Sequence, residues 1–472
     1  MMSGRKRWPA ARVVIIWLLL MGCAGVRGAD PRDGGTPPVL SIALNDYGSD
    51  FDGQWQGITV ASDGCCYFAS STHSDRHGAG FFRFDPVRGK LTVLARDMTL
   101  VCGEDLRASR QGKIHSPIVE HDGWLYFATH LANYWPEAEE AFPGAHVLGY
   151  ELKTGTFRDF GVLKKRFSVY SFVNVDPVRK CLYVISTPFA EADVKADGCR
   201  VFRIDIATGR KTDLGLAKAG KHGAFWSFVD RQGDCWFTFW RDNDGDLYRV
   251  RGGTGRIERF AGVLPPAEFA FGGGASPVQE DRGWTWVAAL PGRHKCLFTM
   301  GSHGGGDERL WVFDPSADVG SGAAFQPLRE IGPVFLSQAL AGDRVYFVQR
   351  RDPVSNRGWS GELHRDDPLE VLNRREDFHL RSAPLDPEAP IADHGRIVDG
   401  DGRTPRSIDS LAADEKGRVY LVGDWHILPG DKGTMQIEWQ TRDRKFKKVQ
   451  RGQFFAFADV SEKSAGPPGG RR

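Results

Sequence analysis

The sequence has no long apolar run beyond its first residues, no excess of either charge, no zinc-binding cysteine pattern and almost no helical periodicity. Each absence removes a class of protein. Lys+Arg (62) nearly balances Asp+Glu (60), and no basic stripe stands out, so nucleic-acid binding has no compositional support. No later stretch is long and apolar enough for a membrane helix. Seven cysteines follow Cys23: Cys65, Cys66, Cys102, Cys181, Cys199, Cys235 and Cys296. The number is odd and the spacings fit no zinc motif. Cys66, Cys181, Cys235 and Cys296 fall near one place in a repeated strand, so burial is expected rather than pairing. The one helix expected is short, near Pro136–Phe142. A doubly wound α/β fold needs a helix after nearly every strand and is excluded on that ground.

The N-terminus carries a targeting pattern. Arg5, Lys6, Arg7 and Arg12 precede the apolar run VVIIWLLLM (13–21), which is too short to span a bilayer stably. Leu20-Met21-Gly22-Cys23 then resembles a bacterial lipobox, whose cysteine becomes lipid-modified. Residues 1–22 are read as the signal peptide and 23–38 as a linker. Export follows, either lipid-anchored at Cys23 in the cell envelope or secreted after cleavage at Gly25 or Gly28. Membrane contact is expected only through that anchor.

What is abundant is glycine (57), proline (26) and tryptophan (14), scattered as in a chain of short strands and turns. A unit repeats. Its first half is a strand pair around an Asp/Gly turn: SPIVEHDGWLYFAT from Ser116, SFVNVDPVRKCLYVIST from Ser171, and SFVDRQGDCWFTF from Ser227. SQALAGDRVYFV from Ser337, SLAADEKGRVYLVG from Ser410 and GITVASDGCCYFAS from Gly57 repeat it. The second half is another hairpin, as in FFRFDPVRGKL (81–91), HVLGYELKTGTF (146–157) and RVFRIDIATGRK (200–211). Units start at 57, 116, 171 and 227, then near 282, at 337 and at 410; the sixth carries a long insertion. Seven units of four antiparallel strands predict an all-β fold, a seven-bladed β-propeller over residues 39–460. VLSIA (39–43) is expected to complete the last blade, and 461–472 to be disordered. Six or eight blades, or a pair of β-sandwiches, are the competing folds.

In such a ring the start of each first strand and the end of the second share one face. The residue before each unit start therefore joins a ring around one mouth of the central channel. These are Gln56, His115, Tyr170, Trp226, Leu336 and Asp409. Second-strand ends add His73, Asp75 and His77; His130, with Tyr134 and Trp135 beyond; Trp240, Arg241 and Asp242; Arg350 and Arg351; and Asp424, Trp425 and His426. Lys113 and His222 lie just before unit starts. A purely structural ring would repeat small or apolar residues, whereas this one is varied and mostly polar. His73 and His77 could ligate a divalent metal, since imidazole suits such ions. Trp226 could stack on a sugar face.

Histidine, tyrosine and arginine at one mouth suit β-elimination beside a uronic acid. The carboxylate must be neutralised before the adjacent carbon yields its proton, and a second group protonates the leaving oxygen. The run KIHSPIVEHDGWLYFATH (113–130), with Tyr170 in the next blade, resembles the seven-bladed propeller lyases of the ulvan-lyase and oligogalacturonate-lyase type. The resemblance implies an acidic polysaccharide or other glycan as partner, His115 or His130 as base and Tyr170 as acid. Lys113, Trp226, Arg241, Arg350, Arg351, Asp409 and His426 are the candidate substrate contacts, one of the arginines meeting the carboxylate. A monomer is expected. A non-catalytic propeller that binds glycans or a protein is the alternative. A metal-dependent hydrolase of lactones or sugars ranks last, because few acidic or amide residues occupy ring positions.

Overall fold

The computed structural model describes residues 38–461 apart from 49, 106–108, 171, 225, 240–243, 267–282, 303–304, 307–308, 333, 335–336, 351–377, 427–435, 439–447 and 451. The expected signal peptide, the linker up to residue 37 and the tail from 462 lie outside them.

Seven antiparallel four-stranded sheets form the ring, and the chain is a seven-bladed β-propeller. Blade one runs Ile58–Val60, Cys66–Ser70, Gly80–Asp85 and Lys90–Ala95, each strand pairing the next. The first strands of the other blades are Val119–His121, Val173–Asp176, Ser227–Val229, Trp284–Ala289, Gln338–Ala341 and Pro405–Ala413. From blade two through blade seven to blade one, neighbouring first strands touch around the channel. The fifth blade begins where the spacing placed it. Ser116, Ser227, Ser337 and Ser410 lie in or just before the innermost strands, while Ser171 lies outside the described residues. At the inner hairpin of blade two, Asp122 (φ 49°) and Gly123 (φ 77°) both turn left-handed, the backbone a two-residue hairpin demands.

Hydrophobic burial explains why the strands read as apolar on both parities. Successive side chains of a strand point to opposite faces, and in every blade both faces are covered. Tyr67 packs towards blade two with Phe81, Leu125 and Phe127. Its neighbours Cys66 and Phe68 pack towards blade seven with Tyr420, Val422 and Phe455. One apolar cluster fills each gap between blades. Cys66, Cys181, Cys235 and Cys296 each open the second strand of a blade, buried at equivalent places. All seven described cysteines are free thiols.

Closure joins the two ends of the domain. Val39–Ala43 pairs with Gly452–Asp459 in register Val39↔Ala458 to Ala43↔Phe454, completing blade seven as its outermost strand. Pro136–Ala141 is helical as expected. Among the described residues two further short α-helices, Met98–Val101 and Glu191–Ala196, lie outside the sequence expectation; the first is capped by the Asp97 carboxylate, which accepts from Thr99 N at 2.8 Å.

Blade two carries a charged knot away from the channel. His146 Nδ1 lies 2.8 Å from Asp159 Oδ2, and Nε2 lies 2.9 Å from Glu104 Oε1. Burial alone would lower the imidazole pKa, but hydrogen bonds with Asp159, Cys102 and Glu104 outweigh it and raise the value to about 11.

Two expectations follow. Val39 is buried in the cluster between blades six and seven, so Val39→Asp should cost about 3 kcal/mol in urea unfolding by placing a charge there. The folded pKa of His146 lies above that of the unfolded chain, about 6.5. Its contribution is therefore complete below that pH and is lost as pH rises through about 11. The difference in melting temperature between wild type and His146→Gln should shrink steadily across that window; a difference independent of pH would contradict the assignment.

Candidate functional site at the channel mouth

Short pairings outside the blades bring the mouth residues together. Gln111–Lys113 pairs with His130–Leu131, the segment that continues the second strand of blade two, placing Lys113 opposite His130. Phe167–Ser168 pairs with Thr187 and Pro188 at the end of the second strand of blade three, which carries Tyr170 towards the same place.

The rings of His115, His130 and Tyr170 pack on one another. His115 stacks on Tyr170 with centroids 5.2 Å apart and planes at 18°. His130 meets both edge-on, at 4.9 Å from His115 and 5.2 Å from Tyr170. Trp55 stacks on His115 at 4.7 Å and 11°, so the imidazole lies between two aromatic planes. Phe189 and Tyr134 extend the assembly, the former 5.1 Å and the latter 5.7 Å from His130. Tyr170 is half-buried, whereas His115 is nearly and His130 fully buried.

Hydrogen bonding separates the two histidines in role. His130 Nδ1 lies 2.6 Å from Ser168 Oγ, and Nε2 lies 2.9 Å from Tyr134 Oη. Ser168 Oγ also accepts from Leu131 N at 3.2 Å. Both nitrogens of His130 are thus engaged inside the protein. Burial, then the charges of His115, Lys113 and Lys221, push its pKa well below the ordinary value, so the ring is neutral. Burial likewise pushes the Tyr134 hydroxyl well up.

Lys113 is wholly buried beneath this layer. Its ammonium donates to Leu131 O at 3.0 Å and to Ala132 O, and sits 4.1 Å from the centre of the Tyr134 ring. Burial drives its pKa well down, with Asp52 opposing and Lys221 adding to the fall. Lys113, expected among the substrate contacts, is placed with its side chain tying down the turn that carries His130. Lys221 is an exposed cation at this mouth, with Nζ 3.9 Å from the Phe189 ring centre, 5.8 Å from that of Tyr134 and 3.9 Å from Glu139 Oε1.

His73 and His77 are not brought together as a metal pair. His73 Nδ1 lies 3.1 Å from both oxygens of Asp52, and its ring joins the mouth assembly beside Trp55 and Tyr134. His77 turns instead to Gly78 O at 2.8 Å, with Asp50 3.8 Å from its other nitrogen. Asp50 is occupied by the Arg76 guanidinium. Among the described residues no group of three or more His, Cys, Asp and Glu could hold a metal ion.

Trp226 is half-buried against the clusters of blades four to six and lines the channel, apart from the His–Tyr assembly. His426 follows the second strand of blade seven, its N–H donating to Thr404 O at 3.0 Å. The register shifts between Ile408 and Ser410, which puts Asp409 in a bulge of the innermost strand. The side chains of Asp409 and Arg350, and the whole of Arg241 and Arg351, lie outside the described residues. Trp55, Ser168, Phe189 and Lys221 escaped the sequence reading. Trp55 and Ser168 sit one and two residues from the ring positions Gln56 and Tyr170, a signal that widening the window would have caught.

No family model matches the chain, and no curated protein matches it in sequence. Among solved structures it is similar to an oligogalacturonate lyase from Vibrio parahaemolyticus, at 11% identity over 91% of this chain and 98% of that one (TM-score 0.48). It is also similar to an oligogalacturonate lyase in complex with manganese, at 12% identity over 73% and 88% (TM-score 0.34). A chain of a mitotic checkpoint complex matches at 11% identity over 95% and 99% (TM-score 0.44). These likenesses speak to the fold alone, and propellers host unrelated functions.

Replacing Lys113 by Met should leave the carbonyls of Leu131 and Ala132 buried without a donor. A loss of about 2 kcal/mol is expected in chemical denaturation. An unchanged midpoint would mean that water takes over both acceptors.

Proposed function

We propose that this chain is an exported propeller that cleaves a uronic-acid-containing polysaccharide by β-elimination at the mouth formed by blades one to three. The observation that supports it is the stack of a half-buried Tyr170 on His115, braced edge-on by a neutral, fully engaged His130. The targeting pattern at residues 1–23 supports export.

In this reading His115 takes the proton from the carbon beside the uronate carboxylate. The electron pair forms a carbon–carbon double bond as the glycosidic C–O bond breaks, and Tyr170 gives its phenolic proton to the departing oxygen. His130, whose nitrogens are held by Ser168 and Tyr134, acts as a positioning residue. Lys221 supplies positive charge at the same mouth, where a carboxylate needs neutralising for the proton to become acidic. Trp55 offers a further half-buried aromatic face for a sugar ring.

The near-complete burial of His115 favours a second reading, a rigid recognition surface that binds an acidic glycan without cleaving it. A screen of uronate polymers separates the two, because elimination leaves a conjugated double bond that absorbs in the ultraviolet. Tyr170→Phe removes only a hydroxyl and should lower that rate about 10²–10⁴-fold with little effect on binding. Binding of a polymer with no ultraviolet-absorbing product would establish the second reading; activity unchanged in Tyr170→Phe would overturn the mechanism.

A further inference from the structure

The channel holds a second chemical environment, away from the His–Tyr assembly. A cavity of about 140 Å³ is walled by Val119, Val173, Val229 and Val287, with the exposed Ala289 at its edge. Cavities of roughly this size accept ligands as small as benzene. Besides the Trp226 indole, the polar side chains on its wall are Asn174, Ser227 and Arg293. Asn174 is spent on Ser227, donating to its carbonyl at 2.9 Å and its hydroxyl at 3.0 Å.

Arg293 differs from every other group there. It lies in the turn between the first two strands of blade five, with φ 52° following Gly292 at 76°. A long side chain in the left-handed region is uncommon, since glycine or asparagine would take that position at lower cost. Its guanidinium makes one hydrogen bond among the described residues, a long one from Nη1 to Val229 O at 3.3 Å, and no ion pair. The carboxylate that acts on it, Asp176, is committed to Arg179 at 3.1 Å and to the backbone N–H groups of Val178 and Arg179. Burial pushes the Arg293 pKa down, and the charge of Asp176 opposes this only in part. Arg293 is half-buried, and a cation partly withdrawn from water gains from a counter-charge.

We infer that this cavity is a binding site for a small monocarboxylate, its carboxylate on the Arg293 guanidinium and its apolar tail among the valines. The site is independent of the mouth chemistry: Tyr170 and His115 take no part in it.

Fluorine NMR of the intact mature protein tests this with trifluoroacetate and its uncharged isostere trifluoroacetamide. Saturable broadening is expected for trifluoroacetate alone, and Arg293→Gln should weaken it at least tenfold. Ala289→Phe narrows the cavity from an exposed position while keeping the cation, and should weaken binding too; it carries the test if Arg293→Gln fails to fold. Tyr170→Phe should leave binding unchanged. Equal broadening by the amide, no saturable broadening, or binding unaltered in both cavity variants would overturn the inference. Chloride displacing the probe at equal concentration would overturn it in favour of a simple halide site.

Discussion

Everything in this molecule depends on apolar contact between neighbouring blades. A blade has two apolar faces, so it needs a partner on each side. Phe81 stacks on Phe127 of the next blade at 4.8 Å, and Phe68 on Phe455 of the previous one at 4.6 Å. An open row of blades would always leave two such faces wet, and buried apolar area is worth about 25 cal/mol per Å². Only a closed ring removes both. That is why the first strand of the domain, Val39–Ala43, pairs with the last, Gly452–Asp459, rather than starting a blade of its own. The Asn45 side chain reinforces the seam by accepting from Gln453 N at 2.8 Å.

The ring then dictates what can meet at its axis. Side chains 115, 130 and 170 come from two blades and three segments, yet their rings touch because the first strands converge. Packing them there has a cost, since three polar rings and a lysine lose water. The structure offsets it bond by bond. His130 is held at both nitrogens, and the Lys113 ammonium lies on two carbonyls beneath the Tyr134 face. Burial, with the charges of His115 and Lys113 adding to it, keeps His130 neutral. The assembly is therefore rigid, and the partly exposed Tyr170 is the member that a ligand can reach most easily.

Blade number, blade starts and the closing strand were legible because they rest on local pattern: alternation, an Asp/Gly turn and a step of 55 to 59 residues. The convergence of His115, His130 and Tyr170 followed from that geometry with no knowledge of side-chain direction. What spacing did not carry was side-chain direction. Lys113 sits opposite His130 in register, as the spacing implied, but its long stem runs inward to Leu131 and Ala132 instead of out to the mouth. His73 and His77 share a loop, yet Asp52 takes one ring and Gly78 O the other. Separation along a loop carries no information about which acceptor each ring finds. Met98–Val101 and Glu191–Ala196 are too short for any helical period to register.

The same ring makes its axis chemically asymmetric. Blades one to three turn histidines, tyrosines and Lys221 towards one mouth, whereas blades four and five line the channel with Trp226, Phe228 and Val287. A ligand at the mouth would meet flat aromatic faces, a phenol and an exposed lysine, features matched to a ring bearing hydroxyls and a carboxylate. A ligand in the channel would meet valines and one guanidinium, features matched to a short apolar acid. The valines around the half-buried Arg293 lower its local dielectric relative to the exposed Lys221, which favours the second interaction. Added salt should therefore screen charge recognition at the mouth while leaving that in the channel largely intact. The two sites can be told apart by ionic strength even in one sample.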